Sequence, residues 1–177
     1  MSEQKTSVKR KPSQTKVEMT QIVLPSHTNN HGTAFGGQIA AWCDICAAVS
    51  AQRFCRTPVV TASMDQLHFL KPVRHGMVVI LKAQVNQAWR SSMEVGVRVE
   101  AEDPCSGVIE HCCSAYLTFV SLREEGGLSQ LPELDLEDNP VGKRRAQEAN
   151  LRREHRLHMR SLRKQDSELH DSRLVTK

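Results

Sequence analysis

Phe35-Gly-Gly-Gln-Ile-Ala-Ala-Trp-Cys-Asp-Ile-Cys-Ala-Ala-Val-Ser50 decides the fold of this chain. Ala, Ile, Cys, Val and Trp occupy nearly every face of this stretch, and a helix apolar all round is a buried one. The helix is expected from about Phe35 to Phe54, opened by Gly36-Gly37. Asp44 lies in its middle. A carboxylate buried without a partner costs roughly several kcal/mol, so Asp44 is expected to be paired, neutralised or functional. Just upstream, His27-Thr-Asn-Asn-His-Gly32 forms a polar turn. An acid, amides, imidazoles and a helix N-terminus therefore fall close together, which outlines an active site.

Strand-like segments surround this helix. Val17 to Leu24 precedes it and ends at Pro25. Four more follow Pro58: Val59 to Phe69, Met77 to Trp89, Ser92 to Glu102 and Val108 to Leu122. In the third of these, Met93, Val95, Val97 and Val99 alternate with Glu94, Gly96, Arg98 and Glu100, which implies one buried face. Short links between consecutive strands favour an antiparallel sheet. One apolar helix must bury itself against that sheet, giving a two-layer α+β domain. A single helix covers one face only, so the arrangement invites a second copy of the chain.

The 177 residues suit one domain. Residues 1–16 are polar and basic and read as a flexible tail with no secretory signal. From Glu124 a linker and a Pro-containing strap lead to Lys143–Lys164, which reads as a charged helix, and the last dozen residues are expected to fray. No apolar run reaches bilayer length, so no membrane span is expected. The net charge is +4, but aromatics make up only 4% and acids interrupt the basic runs, so nucleic-acid binding is not expected. Six cysteines are present. Without a secretory signal they read as reduced core thiols. Cys43-x-x-Cys46 lies mid-helix and no second pair matches it, so neither a metal nor a cofactor is expected. Cys112 and Cys113 are adjacent on a strand and are expected to point to opposite faces.

The stretch Leu24-Pro-Ser-His-Thr-Asn-Asn-His-Gly-Thr-Ala-Phe-Gly-Gly-Gln-Ile39 resembles the signature of hotdog-fold acyl-coenzyme A thioesterases. Val60-Thr-Ala-Ser-Met-Asp65, Phe69-Leu-Lys-Pro72, Gly76 and Arg90-Ser-Ser-Met-Glu-Val95 add to the likeness, which is strongest to the cytosolic acyl-CoA and acetyl-CoA hydrolases of animals and then to short-chain bacterial acyl-CoA thioesterases. The resemblance implies a hotdog fold, an antiparallel sheet wrapped around one long central helix, over residues 17–122, with 123–177 as a linker and charged helical extension. It implies hydrolysis of acyl-CoA to a free acid and coenzyme A in the cytoplasm; the basic N-terminal segment, read as a presequence, gives a mitochondrial location as the weaker alternative. It also implies dimers, and three dimers in a hexamer. A catalytically weak acyl-CoA-binding or scaffold subunit is the alternative function.

Carried over residue by residue, the resemblance makes Asn29 and Asp44 act together from opposite subunits, with Asp44 as base or nucleophile. Backbone amides around Gly36 and Gly37 would receive the thioester oxygen. Independently of the resemblance, a helix start opened by Gly supplies donors and the positive dipole end to a developing oxyanion. The resemblance further implies coenzyme A contacts at Ala62, Ser63, Met64, Ser91, Ser92 and Met93, and a phosphate contact at Arg152 or Arg153, whose planar fork of donors suits that group.

Overall fold

The computed structural model describes residues 8–174, with side chains to residue 165. In chain order its elements are β1 (Lys9–Arg10), β2 (Val17–Ile22), α1 (Gly36–Cys55), β3 (Val59–Phe69), β4 (Val78–Ala88), β5 (Ser92–Glu102), β6 (Ile109–Ser121), β7 (Glu133–Leu134) and α2 (Pro140–Leu174). Strands β2, β4, β5, β6 and β3 lie in that spatial order in one antiparallel sheet. This is the α+β architecture expected, with β2 and β3 at its edges.

Helix α1 lies on one face of the sheet. Ile39, Trp42, Cys43, Cys46, Ala47, Ala51 and Phe54 pack against Val79, Leu81, Met93, Val95, Leu117 and Phe119 to form the core. The period-two pattern of β5 is obeyed there: Met93, Val95, Val97 and Val99 are all buried. The helix ends at Arg56, which takes a left-handed conformation and returns its N–H to Gln52. α1 is not covered all round, however. Ile45 is 54% exposed and Val49 37%, and they form an apolar stripe with the exposed Ala41, one turn apart each time.

The other face of the sheet carries α2. Gly142, Ala146 and Ala149 are its buried residues, small enough to bring the helix close to the strands. The expected charged helix over 143–164 is therefore longer, starting at Pro140, and its first turns are packed rather than solvated. The last dozen residues, expected to fray, continue the backbone of α2 as far as Leu174; residues 175–177 lie outside the described ones.

The N-terminal tail also differs from expectation where it is described; residues 1–7 lie outside. β1 pairs in parallel with β7, and a 3-10 turn over Pro12–Thr15 buries Thr15 completely. Thr15 Oγ1 accepts the Val85 N–H at 3.1 Å, and Ser50 Oγ donates to the Thr15 carbonyl at 2.8 Å. These bonds tie the segment to both β4 and α1, so it is not a tail from Val8 onward. The neighbours Cys112 and Cys113, expected to point to opposite faces, are both buried. A bulge leaves Cys112 without a partner on β5, which breaks the two-residue alternation at that point.

Candidate active site

The turn before α1 is closed by Asn29. Its Oδ1 accepts the His31 N–H at 2.9 Å, its Nδ2 donates to Thr33 Oγ1 at 3.0 Å, and its own N–H donates to the Thr33 carbonyl. Gly32 at φ +69° makes the left-handed step that this tight turn needs. His27 lies beneath, its ring edge-on to Trp42 at 5.0 Å and its Nδ1 accepting the Leu24 N–H at 3.2 Å. His31 is exposed.

The chain then enters α1 through Phe35, whose side chain supplies no capping hydrogen bond. The Phe35 carbonyl receives the N–H groups of Gln38 and Ile39, leaving those of Gly36 and Gly37 ahead of the first intrahelical bonds. A side chain at Gly37 would run into the Phe35 ring, and one at Gly36 would press on Phe69 at 3.3 Å. The pair of glycines thus keeps a helix start open and its amides approachable.

Two turns on, Asp44 is half-buried rather than enclosed by the helix's apolar residues, because it borders the exposed stripe of Ile45 and Val49. Its Oδ1 accepts a hydrogen bond of 2.6 Å from Thr61 Oγ1 on β3. Sequence reasoning did not single out Thr61; a Thr at the start of the edge strand that follows the helix was the available signal. Asn29 and Asp44 share no hydrogen bond among the described residues.

The residues implied for coenzyme A divide. Ala62, Ser63 and Met64 lie on β3 beside Thr61, exposed or half-buried, and Ser91 and Ser92 are half-buried at the β4–β5 turn. Met93 is fully buried on the α1 face, opposite Phe119, and its side chain packs in the core. The two arginines are both engaged within the chain. Arg152 clamps Glu94 with two bonds, Nε to Oε2 at 2.9 Å and Nη2 to Oε1 at 2.7 Å, and its guanidinium lies 3.7 Å above the Tyr116 ring. Burial by itself would lower the Arg152 pKa, but the Glu94 carboxylate outweighs it and holds the guanidinium above its usual value. Glu94 is 0% exposed and also accepts from Asn86 Nδ2 at 3.0 Å. Arg153 stacks on Trp89 at 4.8 Å, and Trp89 Nε1 donates to Asn150 Oδ1 at 3.0 Å.

Five of the six cysteines are core residues as expected, whereas Cys105, in the β5–β6 turn, is exposed. Burial, with neighbouring thiols and Asp44 adding to it, pushes the Cys43 pKa far above the usual thiol range; burial likewise drives Cys46 and Cys113 up to about 11. Neutral thiols are poor metal ligands and nucleophiles. No group of three or more His, Cys, Asp or Glu side chains suits a metal ion among the described residues. Among those residues, no helix is long and apolar enough to cross a membrane.

Comparison with known proteins adds to this geometry. Residues 31–107 match the model of the thioesterase superfamily. Acyl-coenzyme A thioesterase 11 of Mus musculus is 48% identical over 110 residues, which are 62% of this chain but only 18% of that protein. An uncharacterised acyl-CoA thioester hydrolase of Bacillus subtilis is 38% identical over 84% of this chain and 88% of its own length. The acyl-CoA hydrolase of Staphylococcus aureus, solved with butyryl coenzyme A, coenzyme A and coenzyme A disulfide, superposes with a TM-score of 0.83 at 36% identity, covering 90% of this chain and 97% of that one. Variants of it with one asparagine, one aspartate and one threonine replaced by alanine have also been solved. A hexameric acyl-CoA thioesterase superposes with a TM-score of 0.83 at 31% identity, covering 88% of this chain and 99% of that one.

Proposed function

The chain belongs to the thioesterase superfamily, and from that membership we propose that it hydrolyses acyl-CoA thioesters to a free acid and coenzyme A. The observation that carries the reading is the Asp44 carboxylate, held by Thr61 at 2.6 Å two turns along α1 from an open helix start. The Thr61 hydroxyl fixes one carboxylate oxygen. The other is left to take a proton from water or to attack the thioester carbon. The N–H groups of Gly36 and Gly37, at the positive end of the α1 that follows the Asn29 turn of the second copy, receive the oxygen on which negative charge develops. The asparagine, aspartate and threonine replaced in the Staphylococcus aureus enzyme have the same separations along the chain as Asn29, Asp44 and Thr61.

The site is completed by a second copy. β3 is an 11-residue edge strand beside the uncovered stripe of Ile45 and Val49. Long edges and apolar stripes of this kind are normally covered. Joining two chains along β3 buries both and brings Asn29 of one copy toward Asp44 of the other. Three such dimers form a hexamer, the assembly named for one structural relative. Ala62–Met64 and the Ser91–Ser92 turn flank the coenzyme A, and Arg153 remains the arginine available to its phosphates. The unit over 17–122 is the hotdog proper, with 123–177 as its extension, working in the cytoplasm on its acyl-CoA substrate.

Thiol release from a ladder of acyl-CoA lengths tests this. Asp44→Asn should lower turnover at least about a hundredfold with the fold intact. Mixing inactive Asn29→Ala and Asp44→Ala chains should restore part of the activity. Near-normal hydrolysis by folded Asp44→Asn would refute the assignment. Binding of acyl-CoA without turnover by the native chain would favour the scaffold role.

A further inference from the structure

The hydrogen-bonding ladder of β3 against β6 is broken twice, and the two extra residues are Ala62 and Asp65. The first bulge reverses the parity of the strand. Thr61, opposite Phe119, faces α1 and reaches Asp44, whereas Ser63, opposite Thr118, lies on the face under α2. Without the bulge, two residues so spaced would share a face.

The second bulge is tied down. Asp65 Oδ1 accepts from Ser63 Oγ at 2.8 Å, Oδ2 accepts from Thr118 Oγ1 at 3.1 Å, and the Arg156 guanidinium closes on Oδ2. The Asp65 side chain is only 8% exposed and that of Arg156 24%. One turn earlier Arg152 is anchored on Glu94, so α2 cannot rotate or slide without breaking both pairs.

We propose that Arg156 is a positioning residue for the hydrolytic site, acting through Asp65 to hold the double bulge that turns Thr61 toward Asp44. The proposal rests on the reading of Asp44 as the hydrolytic group. Within one chain β3 has only β6 to fix its register, and a one-residue slip moves every side chain to the other face. The clamp from α2 adds a second constraint from the same chain, whatever the partner copy contributes. It also gives the charged helix a role unlike phosphate binding. A phosphate contact acts on the nucleotide and raises KM, whereas a positioning contact acts on the carboxylate and lowers kcat whatever the leaving group carries.

The test compares Arg156→Ala, Arg156→Lys and, as a control, Arg160→Ala, one turn further along at an exposed position. Acyl-CoA and acyl-pantetheine serve as substrates, and hydrogen exchange of the β3 amides is followed in parallel. Arg156→Ala should lower kcat about tenfold on both substrates with KM little changed, the loss expected from removing a charge-assisted bond. Residues 61–66 should exchange faster while β4 and β5 keep their protection. Arg156→Lys should restore much of the rate, and Arg160→Ala should leave it unchanged. Should Arg156→Ala not fold, Asp65→Asn removes the charge while keeping the shape, and the same readouts apply. A KM increase confined to acyl-CoA, an unchanged kcat, or unaltered exchange in β3 would overturn the proposal. If the native chain hydrolyses no thioester, the functional reading fails, and exchange by itself decides the clamp.

Discussion

Helix α1 meets its face of the sheet through Ile39, Trp42, Cys46, Ala47 and Phe54, with no ion pair to a strand among the described residues. Helix α2 meets the opposite face through Gly142, Ala146 and Ala149 and two arginine–carboxylate pairs, Arg152 with Glu94 and Arg156 with Asp65. Apolar burial is non-directional and scales with area, so the α1 face supplies cohesion. Buried ion pairs add little net stability over an apolar replacement, but their geometry is specific. The α2 face therefore supplies register. The polar groups nearest the proposed chemistry sit between the two: Asp44 on the rim of α1, and β3 locked from the α2 side.

The contrast is sharpest in stability. Phe54→Ala, at a fully buried position on α1, should destabilise the chain by about 3–5 kcal/mol, measured by denaturant unfolding. Arg152→Ala leaves the wholly buried Glu94 with Asn86 alone and should cost about 3 kcal/mol. Replacing the pair together, Glu94→Met with Arg152→Leu, should recover most of that loss. If the double replacement is as damaging as the single one, the pair contributes net stability and the contrast between the two faces fails.

Smaller effects test the rim. Thr61→Val removes the hydroxyl bonded to Asp44 while keeping a β-branched shape, and should lower turnover about tenfold without changing the unfolding midpoint. The smallest effect concerns the cysteines. With Cys43, Cys46, Cys112 and Cys113 held above the ordinary thiol range by burial, their thiolates are scarce at pH 8. Iodoacetamide should then label the exposed Cys105 in the folded chain and spare the five buried cysteines, with activity unaffected, as read by mass spectrometry. Labelling of Cys46 before Cys105 would show that the α1 face opens far more readily than its packing implies.

Which polar groups leave water could not be read from the pattern. Glu94 alternates correctly away from the core, which reads as solvent-facing, yet a helix 58 residues further on covers it. The pairing of Arg152 with Glu94 is hidden for the same reason. Asp44 looked buried because its neighbours are apolar, but Ile45 and Val49 face away from the chain's own sheet. The bulges at Ala62, Asp65 and Cys112 left no local mark, since an extra residue in a ladder is defined only by the strand opposite.

The sequence by itself determined the order of the five main-sheet strands and the two helices, the single apolar helix, the core face of β5, the glycines at the start of α1 and the acid two turns on. Those are properties of short-range period and turn chemistry, carried within a few residues. Tertiary structure decided the rest: which side of the sheet α2 covers, the partner of each arginine, and the parity of β3 that turns Thr61 to Asp44. Burial and ion pairing depend on what distant segments bring into contact, so they become defined only when the chain has closed.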